Sequence, residues 1–117
     1  MFMEIGIDIE KNERFKNMTE SMLKRIFTKR EIEYCRSFVN YEDHFCAFWC
    51  VKEAFVKATS NKTINFLNIE ITHNETGKPE IIKNTEIKNI LSSLDFENIK
   101  ISLSHSNEYS VATCLIY

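Results

Sequence analysis

Glycine and proline are scarce in this 117-residue sequence, which has only two glycines and one proline. Disordered and low-complexity chains are usually rich in both, so the composition excludes these classes. No apolar run approaches the roughly 20 residues that cross a bilayer, and the N-terminus lacks the basic segment and cleavage site of a signal peptide. With 44 % hydrophobic residues, residues 1–117 are expected to form one soluble domain in the cytoplasm, with no membrane partner.

The cysteines do not show the spacing of a metal site, because the sequence contains no CxxC pair. Cys46 and Cys50 are four residues apart and could fill two positions of a zinc site, but no second pair of ligands accompanies them. We interpret all four cysteines as reduced thiols of the core: Cys35, Cys46, Cys50 and Cys114.

Basic residues are concentrated near the N-terminus, although the net charge of the chain is −2. Residues 11–36 contain eight basic and four acidic residues, a charge of +4, so the remaining residues carry −6. This asymmetry indicates an acidic partner or a ligand with phosphates, and a solvated surface of mixed charge is the alternative. Nucleic acid is not expected, because the chain as a whole is acidic.

The stretch from Phe45 to Ala58 has no glycine or proline and predicts a helix that begins at Asn40 or Tyr41. Apolar residues form stripes on two sides of this helix, so we expect it to pack on both sides and to lie at the centre of the domain. Between the stripes runs a strip of four other residues: Cys46, Cys50, Glu53 and Lys57.

The remaining segments predict an α+β domain. Strands are predicted from short or alternating apolar segments at residues 2–9, 66–73, 80–82, 99–103 and 109–117. Helices are predicted at residues 11–18, 20–27, 28–37 and 85–94. The third of these begins with the capping box Thr28-Lys29-Arg30-Glu31. One strand, then helices, then mostly strands indicates an antiparallel sheet packed around the long central helix.

Three polar residues stand out in otherwise apolar segments: Asp8, Glu53 and Lys57. Asp8 lies in the first strand near Gly6, which leaves room for a close approach, and capping of the following helix is its alternative role. Glu53 and Lys57, four residues apart, form a structural ion pair or belong to a functional site. Two carboxylates on separate elements suit Mg²⁺ and a nearby lysine suits a phosphate, so these residues favour phosphoryl chemistry.

Four segments together resemble the phosphopantetheinyl transferases, in particular their short single-domain type, the holo-acyl-carrier-protein synthases. The segments are Gly6-Ile7-Asp8-Ile9, Trp49 to Ala58, Asn74 to Pro79, and Ser102-Leu103-Ser104-His105. The resemblance covers nearly the whole chain in the same order, and an Asp strand combined with a Lys-Glu-Ala-x-x-x-Lys helix is its specific part. It implies the 4′-phosphopantetheinyl transferase fold. It also implies transfer of the phosphopantetheine arm of coenzyme A to a serine of apo acyl carrier protein, releasing adenosine 3′,5′-bisphosphate.

The same resemblance implies roles for individual residues. Asp8 and Glu53 would bind Mg²⁺ as the cofactor, and Lys57 would contact the diphosphate or the leaving group, so these three residues are the implied catalytic set. The proton of the carrier serine could pass to Glu53, to a metal-bound water or to Lys57. Coenzyme A would be bound by Lys57 together with Lys52, Ser104, His105, Gly77, Lys78 and Pro79.

Plainer roles remain open for some of these residues. Lys52 lies among aromatic residues and could simply extend its ammonium to the surface. His105 could be a hairpin histidine bonded to the backbone, and the turn at residues 77–79 could be an ordinary hairpin turn.

The basic segment gains a purpose from the resemblance, because members of this family dock an acidic carrier protein on an N-terminal basic helix. Arg14, Lys24 and Arg25 would carry that docking, which salt should weaken. The short members are homotrimers with the active site between neighbours, so a homotrimer is implied here.

The chain departs from the family pattern at two places. Relatives often have a basic residue where this chain has Phe48, so another residue, His44 for instance, would hold the 3′-phosphate of coenzyme A. Relatives also tend to have glycine shortly after the central helix, where this chain has Thr59 and Ser60.

A different function also stays open, namely a non-catalytic module that binds an acidic protein through residues 11–36 and keeps binding without Asp8 and Glu53.

Overall fold

The computed structural model describes residues 2–117 and confirms the α+β class, with a three-stranded antiparallel sheet packed on one long helix. The elements in chain order are β1 (Glu4–Lys11), a 3-10 helix (Asn12–Phe15), α1 (Glu20–Ile26), α2 (Lys29–Arg36), α3 (Tyr41–Thr59), a second 3-10 helix (Phe66–Asn68), β2 (Ile71–His73), β3 (Pro79–Ile81), α4 (Thr85–Ser93), β4 (Ile99–His105) and β5 (Tyr109–Ile116). None of the helices within residues 2–117 combines the length and apolarity needed to cross a bilayer.

Helix α3 is central, as its two apolar sides predict. Phe45, Val51 and Phe55 are buried on it, and one side packs on the sheet while α2 covers another. The strip with Cys46 and Cys50 faces the strands, because the Cys46 thiol donates to the carbonyl oxygen of Glu10 and the Cys50 thiol to that of Ser110. All four cysteines are buried free thiols, in agreement with the sequence interpretation.

The main sheet has the order β1-β5-β4, so the two strands of the closing hairpin lie side by side and β1 pairs with the last strand. Both pairings are antiparallel, and the register places Asp8 opposite Ala112, which in turn lies opposite Leu103. Strands β2 and β3 form a separate two-stranded sheet.

Gly6 determines how closely α3 approaches β1. A Cβ atom at this position would lie 2.0 Å from the carbonyl oxygen of Ala54 and 2.7 Å from the amide nitrogen of Ala58. Backbone atoms cannot yield to such a contact, so only glycine fits here. The room that Gly6 leaves is therefore filled by the backbone of α3, which brings the last turns of that helix next to Asp8.

The other side of β1 is apolar and open. Alternation along the strand turns Gly6 and Asp8 toward α3 and the three isoleucines away from it. Ile5, Ile7 and Ile9 are 66 %, 57 % and 62 % exposed. We call this side, including Val111 and Leu115 of β5, the outer isoleucine face.

Two secondary-structure predictions were wrong in part. Residues 66–73 were expected to form one strand, but the Asn65 side chain accepts a hydrogen bond from the Leu67 amide and begins a 3-10 helix, so only Ile71–His73 is extended. Residues 11–18 form only a four-residue 3-10 helix, because β1 continues to Lys11. The capping box of α2 and the helix near residue 85 are confirmed.

Candidate active site

Asp8 faces α3 from the middle of β1 and is not a helix cap. The 3-10 helix that follows β1 has Lys11 at its start and no side-chain cap. Instead, Asp8 Oδ1 accepts a hydrogen bond from Lys57 Nζ at 2.9 Å. The capping alternative for Asp8 is therefore wrong, and the strand acid belongs to a contact with the helix.

Lys57 joins the two elements. Its ammonium donates to Asp8 Oδ1 and to the carbonyl oxygen of Ile7, both at 2.9 Å. The ion pair that the sequence suggested between Glu53 and Lys57 does not form, because the lysine reaches across to β1 rather than back along its own helix. The side chain of Lys57 is still 52 % exposed, so its charge remains accessible to a ligand.

Glu53 lies one turn before Lys57 and has no ion-pair partner within residues 2–117. Burial raises the pKa of the Glu53 carboxyl, and the nearby negative charge of Asp8 raises this pKa further. The positive charges of Lys57 and Arg14 oppose the rise. Asp8 and Glu53 therefore place two carboxylates at one site, where Lys57 pairs only with Asp8, and an added cation would reduce their repulsion.

The donor set fits Mg²⁺ better than a transition metal. Within residues 2–117, no group of three or more histidine, cysteine, aspartate or glutamate side chains is arranged to hold a metal. Asp8 and Glu53 offer only carboxylate oxygens. Mg²⁺ prefers such ligands and usually takes one or two of them, with waters and substrate phosphates completing its shell.

Arg14 lies at the edge of this site rather than on α1 with the other docking residues predicted from the sequence. Its Nη1 atom is 2.7 Å from Glu10 Oε2, and its guanidinium lies over the Trp49 ring, 4.6 Å from the centroid. Trp49 precedes Glu53 by one helical turn. The sequence interpretation did not name Glu10 or Trp49 as site residues. Two signals pointed to Glu10: alternation along β1 puts it on the same side as Asp8, and it precedes Arg14 by four residues.

Lys24 and Arg25 lie on the exposed surface of α1. Lys24 borders a groove of about 590 Å³ between α1 and α2, together with Lys29 and Arg36. The apolar residues that line the groove are Phe27, Ile32 and Leu67. Glu20 and Glu33 also line the groove, and Arg36 pairs with Glu20, so the rim around the apolar floor carries charges of both signs.

Lys52 is not a surface residue, so both its assignment to coenzyme A and the surface-extended alternative are wrong. Its side chain is 0 % exposed, and Nζ donates to Glu31 Oε1 at 2.8 Å and to the carbonyl oxygens of Ile26 and Phe66 at 2.9 and 2.8 Å. An ammonium has three donors, and all three are used. Burial lowers the pKa of Lys52, while the Glu31 carboxylate opposes that change.

Ser104 and His105 are not brought next to Asp8 within the chain. They end β4, which is separated from β1 by β5, so two inter-strand spacings of about 4.8 Å intervene. His105 Nδ1 is 3.9 Å from Asp43 Oδ2, and its ring centroid is 5.1 Å from that of His44. His105 thus packs at the N-terminal end of α3, whereas Lys57 lies near the other end.

The turn at Gly77, Lys78 and Pro79 belongs to the β2–β3 hairpin, where Gly77 has a φ of +82° and the Asn74 side chain accepts from the Lys78 amide. Lys78 and Pro79 line a cavity of about 460 Å³ between this hairpin and β4. Lys83 and Lys100 also line this cavity, and the sequence interpretation did not place either of them there. No local pattern links these lysines, because the fold alone brings residues 78, 83 and 100 together.

Comparison with known proteins identifies the family. The sequence model described as the 4′-phosphopantetheinyl transferase superfamily matches residues 4–114, and the chain belongs to this family. It is 38 % identical to a holo-[acyl-carrier-protein] synthase of Caldicellulosiruptor saccharolyticus over 98 % of this chain and 96 % of that protein. It is 40 % identical to the enzyme of the same name from Aquifex aeolicus, over 96 % of each chain.

The fold comparison agrees. A holo-(acyl-carrier-protein) synthase of Bacillus anthracis, solved in complex with CoA (3′,5′-ADP), superimposes with a TM-score of 0.78 at 29 % identity, covering 97 % of this chain and 94 % of that one. The strand with Asp8 and the helix with Glu53 and Lys57, which carry the specific part of the sequence resemblance, meet in the candidate active site.

Proposed function

We propose that this protein transfers the 4′-phosphopantetheine arm of coenzyme A to a serine of an apo acyl carrier protein, giving holo-carrier and adenosine 3′,5′-bisphosphate. The observation that carries the proposal is the contact of Asp8 with Lys57 beside the uncompensated carboxylate of Glu53. Family membership and the relatives named holo-[acyl-carrier-protein] synthase support it. The expected setting is carrier modification for fatty acid and lipid biosynthesis in the cytoplasm.

The residues of the site suit this reaction. When bound, Mg²⁺ supplies positive charge to the diphosphate, and the oxygens of Asp8 and Glu53 would hold it. Lys57, half-exposed at the same place, presents a second positive charge to the diphosphate or the leaving phosphate. The serine oxygen bonds to the phosphorus that bears the pantetheine arm, and the bond from that phosphorus to the leaving adenosine bisphosphate breaks. Glu53 or a water of the site accepts the serine proton.

The experiment is to incubate the protein with apo carrier, coenzyme A and Mg²⁺ and to follow the mass of the carrier. The wild type should add the mass of the phosphopantetheine arm, and chelation of the metal should stop the addition. Asp8→Asn and Glu53→Gln should lose turnover, and Glu13→Gln, an exposed acid outside the site, should keep it. Carrier binding without any transfer by the wild type would instead support the non-catalytic docking module.

We also propose that the protein is a homotrimer whose contacts include the outer isoleucine face. An exposed row of three isoleucines on a strand is unusual for a monomer, and a second copy would remove it from water. The expected coenzyme A residues support this, because Ser104, His105 and the turn at 77–79 lie away from Asp8 in one chain. A site shared between neighbours could bring both groups to one ligand. Light scattering should give three times the chain mass, and Ile7→Lys should reduce it.

A further inference from the structure

Glu10, Arg14 and Trp49 form a second set of side chains directly beside the catalytic set. Glu10 follows Asp8 by two residues on the same side of β1, about 7 Å along the strand. Trp49 precedes Glu53 by four residues on α3, about 6 Å along the helix. Arg14 lies in the 3-10 helix that follows β1, and its side chain contacts both Glu10 and Trp49.

Arg14 is held from two sides. Its Nη1 atom donates to Glu10 Oε2 at 2.7 Å, and the guanidinium lies 4.6 Å from the centroid of the Trp49 ring. Glu10 is itself fixed, because its Oε1 accepts from the Lys11 amide at 3.0 Å and its carbonyl oxygen accepts from the Cys46 thiol. An exposed arginine normally loses conformational entropy when it binds a partner. Because these contacts already restrict the Arg14 side chain, binding should cost it less entropy.

We propose that Glu10 and Trp49 are positioning residues that hold Arg14 at the edge of the active site to receive an acidic group of the carrier protein close to its reacting serine. The inference rests on the proposed function. One of the five guanidinium N–H donors is used by Glu10 in the observed geometry, and the others remain for a carboxylate. Arg14 lies over Trp49, one helical turn before Glu53, rather than on α1. The group that it binds would therefore lie close to the serine, whereas Lys24 and Arg25 would contact more distant acids.

The sign of one substitution separates positioning from simple electrostatics. Glu10 is a negative charge beside the approach of an acidic partner, so repulsion alone predicts that Glu10→Gln improves carrier binding. If Glu10 positions Arg14, the same change releases the guanidinium and weakens carrier binding. The two accounts therefore predict opposite changes in the carrier KM.

The first test compares Glu10→Gln with Glu13→Gln, which removes an equal charge from the same segment. Glu13 is exposed and makes no ion pair within residues 2–117. Glu10→Gln should raise the carrier KM roughly two- to fivefold, the range typical of an exposed ion pair, with the coenzyme A KM unchanged. Glu13→Gln should leave the carrier KM equal or slightly lower. In an Arg14→Gln background, Glu10→Gln should have no further effect. A carrier KM that stays equal or falls in Glu10→Gln, or an effect that persists without Arg14, would overturn the inference.

The second test does not need turnover. Trp49 is the only tryptophan, so its fluorescence reports the guanidinium that lies over it. The emission should change in Glu10→Gln but not in Glu13→Gln, and titration with apo carrier without coenzyme A should show weaker binding by Glu10→Gln. Normal transfer by the wild type with identical Trp49 emission and carrier affinity in Glu10→Gln would reject the positioning role alone. Absence of transfer by the wild type would reject the proposed function and leave the binding comparison to decide the positioning role.

Discussion

Lys57 Nζ lies 2.9 Å from Asp8 Oδ1, although 49 positions separate the two residues in the chain. The contact joins the last turns of α3 to β1 and leaves Glu53 as the carboxylate without a cation. If the lysine serves the diphosphate, Lys57→Met should reduce kcat by orders of magnitude. The free energy of unfolding should fall by only about 1 kcal/mol or less, because the ion pair is half exposed. Steady-state kinetics combined with thermal melting separates the two effects, and Lys62→Met, which removes an exposed lysine from the following loop, is the control.

The close approach of α3 to Gly6 predicts a large steric effect. Gly6→Ala should destabilise the fold by about 3 kcal/mol or more, because the new methyl group meets the backbone atoms of Ala54 and Ala58 and the helix must move away from Asp8. Gly77→Ala is the matched control. It has open space around its Cβ and a positive φ, so it should cost only about 1 kcal/mol. Urea unfolding measures both, and equal losses would contradict the steric explanation.

The buried pair of Lys52 and Glu31 joins α3 to α2 and is predicted to be strongly coupled. Lys52→Met or Glu31→Leu alone should cost about 3–5 kcal/mol, because each leaves a buried charge without its partner. The double variant should be more stable than either single variant, since it removes both charges together. Additive losses in a double-mutant cycle from urea unfolding would show that the two side chains act independently.

Stability should decline in mild acid. Burial lowers the pKa of His73, and burial together with the neighbouring His105 lowers that of His44. Below about pH 6.5, the ordinary histidine pKa, the unfolded chain binds protons more readily than the folded chain does. The contribution of these histidines to the free energy of unfolding is therefore present above about pH 6.5 and is lost as the pH falls below it. His73→Phe preserves a ring beside Tyr34, 4.5 Å away, and should make the decline between pH 7.5 and 5.5 shallower. A dependence as steep as that of the wild type would assign the decline to other groups.

Local patterns predicted much of the fold. The uninterrupted stretch before Ala58 predicted the long helix, the Thr28–Glu31 box predicted the start of α2, and alternation predicted β4. The strand expected at residues 66–73 was wrong in its first half, because a single side-chain hydrogen bond from the Leu67 amide to Asn65 begins a 3-10 helix. Such a bond is one contact among several that the same residues could make, and no repeating pattern marks it.

By itself the sequence determined the α+β class, the central helix, and Asp8, Glu53 and Lys57 as polar residues in apolar elements. Only the tertiary structure decided their partners. Lys57 pairs with Asp8 rather than with Glu53, and Lys52 pairs with Glu31 in the interior. Arg14 contacts Glu10 and Trp49. The physical reason is distance along the chain: periodicity records which side of an element a residue occupies, whereas charge pairing depends on which elements pack together. Here the absent side chain of Gly6 lets α3 lie against β1.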